Sequence, residues 1–262
     1  MTQQDIDASE APLIEHLIEL RTRLIYCVLG FIAAFIISFV FSTDILHYLI
    51  LPFKWGTGED VSLISIKLLG VFLVKLKIAF FGGLFIGFPL IATQVYRFVA
   101  PGLYAREKQA FVPYLVATPV FFLLGAALVY FFLLPVAIHF FYALAAGTGT
   151  EGQQGIQLMP DIEAYLDFVM MLILAFGLCF QLPVVLTLLG QIGVVSYEQL
   201  KNGRKFAIVG VFVVAAVLTP PDPISQISMA VPLMGLYELS VQAVRFLESR
   251  RKKKEAAEEA AS

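Results

Sequence analysis

Charged side chains are scarce in this chain of 262 residues: they make up 15% of it, while hydrophobic residues make up 59%. Ordinary soluble domains carry about 25% charged and about 45–50% apolar residues. A soluble fold of this length could not hide so much apolar surface from water, whereas a lipid bilayer can. The composition therefore excludes an ordinary soluble domain and predicts a membrane protein.

Cysteine and histidine are also rare. The two cysteines, Cys27 and Cys179, lie in apolar runs without CxxC spacing, which excludes a disulfide framework. His16, His47 and His139 are far apart in the sequence, so we predict neither a metal site nor a cofactor. No HExxH, GxSxG or paired-Asp pattern occurs, and the chain is predicted not to be an enzyme.

Long apolar runs dominate the rest of the chain. A helix needs about 20 apolar residues to cross a bilayer. The runs predict an all-α, polytopic fold with six transmembrane helices, at residues 24–42, 78–99, 112–134, 165–189, 206–218 and 224–244 of a single domain, 1–244. Helices 5 and 6 are short and could instead form a re-entrant hairpin. Prolines within the spans predict kinked helices that form a concave bundle.

Lysine and arginine are unevenly distributed between alternate connecting segments. Of the 18 basic residues, 14 fall on the side that includes both ends of the chain, and the other four lie in the loop 43–77. The positive-inside rule therefore predicts cytoplasmic N and C termini. The tail 245–262 is expected to be disordered, and its basic cluster indicates topology rather than nucleic-acid binding. Within the long loop, residues 63–77 predict an amphipathic interfacial helix.

Two segments on the predicted cytoplasmic side carry candidate chemistry. In HLIELRTRL, residues 16–24, helical spacing places Glu19 and Arg23 on one face. In the loop that follows the second span, Pro101 begins a turn and Glu107 offers a second carboxylate. Two carboxylates on one surface could accept guanidinium groups through charge-assisted hydrogen bonds, or they could be ordinary solvated loop residues.

Four motifs give the chain a family resemblance. They are HLIELRTRL at 16–24, QVYRFVAPGLYAREK at 94–108, AFGLCFQLPVV at 175–185 and LTPPDPISQ at 218–226. In this order they resemble motifs of the TatC family, the multi-spanning subunit of the twin-arginine protein translocase, and they extend over nearly the whole chain.

The resemblance implies a function. TatC proteins are receptors for signal peptides with consecutive arginines, and with single-span TatA/TatB partners they export folded proteins across the inner membrane using the proton motive force. It implies that Glu19 and Glu107 receive the arginine pair, that Arg21, Phe98 and Tyr104 shape the surface, and that the chain self-associates in a larger complex.

Polar residues near or within the later spans are further candidates. Gln181 replaces a glutamate that is common in the family, and either packs the helix or contacts a partner. Gln226 and Glu238 are candidates for intramembrane polar or partner contacts. Pro220 and Pro221 predict a rigid turn, where Asp222 caps the sixth helix or contacts substrate.

The sequence leaves two other classes of function to consider. A small-solute secondary transporter or channel is the main alternative, but the chain shows no clear internal repeat of the kind such transporters often carry. An intramembrane enzyme would need a nucleophile and a base, or metal ligands, at matched depth.

Overall fold

The structure is a computed structural model, which describes residues 3–58, 63–99, 108–146, 160–218 and 223–259. Over these ranges the chain is almost entirely helical. The helices are α1 (Gln3–Val40), α2 (Ser42–Thr57), α3 (Gly70–Val99), α4 (Lys108–Leu128), α5 (Leu134–Ala146), α6 (Ile162–Cys179), α7 (Leu182–Gln191), α8 (Tyr197–Leu218) and α9 (Pro223–Glu259). A π-helical turn, Val129–Leu133, joins α4 to α5.

Five helical stretches in the described ranges are long and apolar enough to cross a membrane. They are His16–Val40, Gly70–Phe98, Pro113–Leu144, Ile162–Gln191 and Gln226–Arg251. Helix α8, which contains the predicted fifth span, is not among them. Its first turns carry Lys201, Arg204 and Lys205, so that only the remainder of the helix is apolar.

Residues group into two compact units. The first comprises Met1–Leu46 and Lys75–Pro119, and the second comprises His47–Val74 and Val120–Ser262. In the first unit, α1 and α3 pack closely because α3 presents glycines to α1. A methyl group on Gly82 would collide with Ser38 Oγ, and one on Gly83 would lie 3.2 Å from the backbone of Phe35.

The second unit has an apolar core on α6 and the segments around it. Leu166, Val169 and Phe176 are fully buried there. Helix α9 packs against both α7 and α8. Gly190 of α7 allows the approach to α9, since a methyl group at that position would lie 2.9 Å from Val244.

Two of the apolar stretches change helix geometry beside a proline; one of these prolines, Pro183, lies within a predicted span, whereas Pro89, Pro113 and Pro119 lie inside uninterrupted helices. The π-helical turn lies just before Pro135, whose ring cannot tolerate a regular helical carbonyl four residues earlier. Helix α6 ends at Cys179 and α7 begins at Leu182, with Pro183 at the start of α7. Each interruption lies inside one continuous apolar stretch, so the third and fourth predicted spans remain single spans with a local change of helix geometry.

The long loop 43–77 differs from its prediction. Helix α2 occupies its first part, and α3 begins at Gly70 rather than at residue 78. The predicted interfacial helix over 63–77 is wrong for its first half, because residues 63–69 are not helical. Instead, Ile64 pairs with Asp161 in an isolated β-bridge, in which Ile162 N–H donates to the Ile64 carbonyl at 2.9 Å.

Helix α9 extends beyond the predicted sixth span. It continues past residue 244 to Glu259, so the tail that was expected to be disordered is helical over most of its length. The sequence RRKKKEAAEE consists of residues with high helix propensity, and it follows a helix that has already formed, so no nucleation cost is required.

Candidate functional site

The candidate site lies where the first part of α1 meets the end of α3, and it is built around the Glu19 carboxylate. Arg23, one turn later on α1, donates to Glu19 Oε1 from Nε at 2.9 Å and from Nη2 at 2.5 Å. The side chains of Arg23 and Glu19 are 23% and 31% exposed, so the pair is accessible but not freely solvated. The i,i+4 spacing in the sequence predicts this contact, and the structure confirms it.

The second carboxylate oxygen of Glu19, Oε2, has different neighbours. Oε2 accepts no hydrogen bond from the residues that the structure describes, and His16 Nδ1 lies 4.0 Å from it, beyond hydrogen-bond distance. The His16 ring stacks on Phe98 of α3, with centroids 4.3 Å apart and planes inclined by 19°. One carboxylate oxygen is therefore held by Arg23, while the other lies beside an aromatic pair.

Gln94 connects this arrangement to α3. Arg23 Nη1 donates to Gln94 Oε1 at 3.4 Å, across 71 residues of sequence. Together with the His16–Phe98 stack, this contact ties the first part of α1 to the last two turns of α3. The Glu19 carboxylate is thus presented from a supported helix rather than from a mobile terminus.

The side chains of this site have the chemistry that a cationic ligand requires. A partly exposed carboxylate with an adjacent aromatic face is suited to a guanidinium group, which donates charge-assisted hydrogen bonds and stacks on aromatic rings. Among the described residues, no group of three His, Cys, Asp or Glu side chains could hold a metal ion.

The remaining residues of the predicted surface are only partly described. Arg21 is exposed on α1, and Phe98 is half-buried beside His16. Glu107, Tyr104 and Pro101 lie outside the described residues. Whether Glu107 lies close to Glu19 therefore remains a prediction.

Gln181 and Gln226 both contact backbone carbonyls. Gln181 lies between α6 and α7, and its Nε2 donates to the carbonyl of Gly177 at 3.5 Å. Gln226 Nε2 donates to the carbonyl of Phe212 at 3.3 Å and so links α9 to α8. Pro220, Pro221 and Asp222, the predicted turn and cap, lie outside the described residues.

Glu238 has a cationic partner. It accepts a hydrogen bond from Arg204 Nη2 of α8 at 2.7 Å and another from Gln242 Nε2 at 2.9 Å. This ion pair borders a cavity of about 160 Å³ whose other lining residues, Ala207, Ile208, Val211, Met234 and Tyr237, are mostly apolar. A lone charge within a span is costly, and the pairing explains how α9 accommodates one.

A second ion pair between distant segments of the chain was not predicted. Lys67, in the non-helical segment before α3, donates to Glu163 Oε2 at 2.7 Å. The Glu163 side chain is only 4% exposed, at the beginning of α6. Its hydrogen bond and its negative charge raise the pKa of the Lys67 ammonium group. Neither partner stands out in the sequence, because 96 residues separate them.

Comparison with known proteins identifies the family. A family model described as TatC, Sec-independent protein translocase protein, matches residues 15–232. The chain belongs to the TatC family. The match contains Glu19, Phe98, Gln181 and Gln226, whereas Glu238 lies beyond its end.

Curated TatC proteins resemble the chain over nearly its whole length. The Sec-independent protein translocase protein TatC of Magnetococcus marinus is 43% identical over 251 residues, which cover 96% of this chain and 90% of the relative. The protein of the same name from Escherichia coli K12 is 37% identical over 244 residues, covering 93% and 92%.

Solved TatC structures share the fold. A crystal structure of a twin-arginine translocase receptor, TatC, is 37% identical and superposes with a TM-score of 0.76, covering 86% of this chain and 97% of that one. A second TatC receptor structure is 35% identical with the same TM-score, covering 89% and 99%. The protein is therefore an all-helical translocase component, as the resemblance implied.

Sequence reasoning missed the contacts that support the site. Gln94 lies within a family motif, but nothing in its spacing indicates a contact with Arg23. Arg204 was counted only as a basic residue that sets topology. A charged residue next to a short apolar span could have suggested a partner for Glu238, because intramembrane charges tend to pair.

Proposed function

We propose that this protein is the receptor and core subunit of a twin-arginine translocase. It binds twin-arginine signal peptides at its cytoplasmic face. With TatA/TatB-type single-span partners, it exports folded proteins across the inner membrane using the proton motive force. The observation that carries this proposal is the Glu19 carboxylate, which is partly exposed beside the His16–Phe98 stack and whose second oxygen accepts no hydrogen bond from the described residues.

The proposal includes the topology. Both termini are cytoplasmic, and α8 forms a sixth crossing in addition to the five apolar stretches. The distribution of basic residues supports this orientation. Within α8, the charged first turns would lie at the cytoplasmic interface, where Arg204 holds Glu238, and residues 206–218 would cross a locally thinned or sheltered part of the bilayer.

The signal-peptide site combines two carboxylates with neighbouring side chains. Glu19 and Glu107 receive the two guanidinium groups, while Arg21, Phe98 and Tyr104 shape the surface around them, and Pro101 begins the turn that carries Glu107. Arginine suits this site better than lysine, because its planar fork can bond both oxygens of a carboxylate.

Polar positions in the spans serve the partner subunits and the turn. Gln226 and Glu238 contact a partner helix, and Gln181 either does so or only packs. Pro220 and Pro221 hold the turn between α8 and α9, and Asp222 caps α9. The protein catalyses no reaction of its own, needs no cofactor, and self-associates within the translocase. Because few ionisable groups lie in the spans, transport requires the partner subunits.

Peptide binding tests the proposal. A fluorescent twin-arginine peptide is titrated against the full-length chain in lipid nanodiscs, and binding is followed by anisotropy. We expect Glu19→Gln and Glu107→Gln each to weaken binding about tenfold or more, since each removes a charge-assisted acceptor. The matched control is Glu198→Gln, which removes an exposed acid at the beginning of α8 and should leave binding unchanged. Equal affinity of Glu19→Gln and wild type would contradict the proposal.

A further inference from the structure

Arg23 donates both of its hydrogen bonds to Glu19 to the same carboxylate oxygen. Two of its N–H groups converge on the same oxygen, Oε1, whereas Oε2 accepts no hydrogen bond from any residue that the structure describes. An incoming guanidinium group could bond to Oε2 without displacing a hydrogen bond from any of the described residues. A full fork on the carboxylate, however, requires Oε1 as well.

Arg23 also has a second acceptor within reach. Its Nη1 already lies 3.4 Å from Gln94 Oε1 on α3. If Arg23 leaves Glu19, a small rotation of the guanidinium group retains this amide as a partner, so that displacement does not leave a charged donor without an acceptor. The Glu19–Arg23–Gln94 arrangement therefore offers Arg23 two alternative positions.

From this geometry we infer that Arg23 is an intramolecular stand-in for the arginine of the ligand. This inference rests on the proposed function of Glu19. In the empty site Arg23 holds Oε1, and a ligand guanidinium binds by displacing it towards Gln94. Arg23 thus acts as a specificity-determining residue. It lowers the binding affinity of every ligand, but it lowers the affinity of some ligands more than that of others.

The discrimination follows from the hydrogen bonds that are exchanged. A ligand arginine replaces the two bonds from Arg23 with its own fork, so the exchange is nearly balanced. A ligand lysine is a point charge that cannot reproduce a fork. It must either bind Oε2 alone, beside the positive charge of Arg23, or displace two bonds without restoring both. Arg23 consequently penalises lysine more than arginine.

The size of the effect follows from the exposure of the pair. Partly exposed i,i+4 ion pairs contribute little to stability, and their loss corresponds to about two- to fivefold in an equilibrium constant. We therefore expect Arg23→Gln to tighten binding of a twin-arginine peptide by about two- to fivefold, and to tighten binding of the matching twin-lysine peptide by a larger factor. Arg23→Lys keeps the charge but not the fork, and it should lie between wild type and Arg23→Gln.

The test measures both peptides on full-length wild type, Arg23→Gln, Arg23→Lys, Glu19→Gln and the double variant Glu19→Gln/Arg23→Gln in nanodiscs. If Arg23 acts through Glu19, the gain from Arg23→Gln is largely lost in the Glu19→Gln background. Thermal unfolding establishes that each variant is folded. If Arg23→Gln does not fold, Arg23→Lys decides, because it too must bind more tightly than wild type.

Three results would overturn the inference, and they are distinguishable. If Glu19→Gln weakens binding but Arg23→Gln weakens it or leaves it unchanged, Arg23 only positions the carboxylate, and the receptor proposal survives. If Glu19→Gln has no effect on twin-arginine binding, the receptor site and the role of Arg23 fail together. An equal gain for the two peptides would also contradict the role of Arg23 in discrimination.

Discussion

Gly177 provides a quantitative test of the packing in the second unit. It lies on α6, where its carbonyl accepts the hydrogen bond from Gln181. In Gly177→Ala the added methyl group would lie 2.6 Å from Cε2 and 2.8 Å from Cδ2 of Phe122. Carbon atoms pack favourably at about 3.5–4.0 Å. The ring of Phe122 is only 2% exposed and cannot move aside easily.

Two effects oppose each other in this variant. Overpacking a core costs about 1–3 kcal/mol, whereas replacing glycine with alanine inside a helix contributes up to about 1 kcal/mol. The net expectation is a destabilisation of about 0–2 kcal/mol. The matched control is Gly210→Ala on α8, where no atom lies within 4 Å of the added methyl group, so that only the favourable effect remains.

The difference between these two variants isolates the steric cost. We expect Gly177→Ala to be about 1–3 kcal/mol less stable than Gly210→Ala, measured as the free energy of unfolding by detergent titration in mixed micelles. Equal stabilities would refute the close contact between Gly177 and Phe122, and with it the packing argument for this part of α6.

Two ion pairs lead to further predictions. The side chains of Arg204 and Glu238 are 40% and 46% exposed, so this ion pair is intermediate between surface and buried pairs. Surface pairs contribute about 0–1 kcal/mol to the free energy of unfolding, whereas breaking a buried pair costs about 3–5 kcal/mol. A double-mutant cycle with Arg204→Gln and Glu238→Gln should therefore give a coupling of about 1–2 kcal/mol in the free energy of unfolding, and additive single effects would contradict the pairing. While Glu163 is ionised, the Lys67–Glu163 pair should contribute fully to stability at pH values below the ordinary lysine pKa of 10.5, because the pKa of Lys67 is raised in the folded state. The stability difference between wild type and Lys67→Met should then stay constant between about pH 8 and 10 and shrink as the pH rises further; a difference that grows above pH 10.5 would contradict it.

The apolar runs were predictable because hydropathy alone identifies them. Five of the six coincide with helical stretches that are long and apolar enough to cross a membrane, although the helices extend beyond the runs into polar sequence at their ends. Helix α2 was missed because it lies in a segment whose apolar residues are too few to span a bilayer. The π-helical turn was missed because a proline predicts a distortion but not its type.

In the candidate site, contacts within one helix were predictable from the sequence, whereas contacts between helices were not. The Glu19–Arg23 pair follows from spacing within one helix, and it was predicted. The partners Gln94 and Arg204 are brought to their positions by the packing of separate helices, across 71 and 34 residues of sequence. Hydropathy and helical periodicity carry no information on such contacts, and the resemblance to the TatC family named the site residues without their supports.

Photo-crosslinking tests the central claim most directly. A twin-arginine precursor carries a photoreactive residue next to its arginine pair and is presented to membranes that contain the full-length chain. The account predicts labelling of residues 16–23 of α1, around Glu19, and of the end of α3, around Phe98. It also predicts that this labelling is lost in Glu19→Gln. Labelling confined to the segment around Lys67, which the proposed topology assigns to the other side of the membrane, would contradict it.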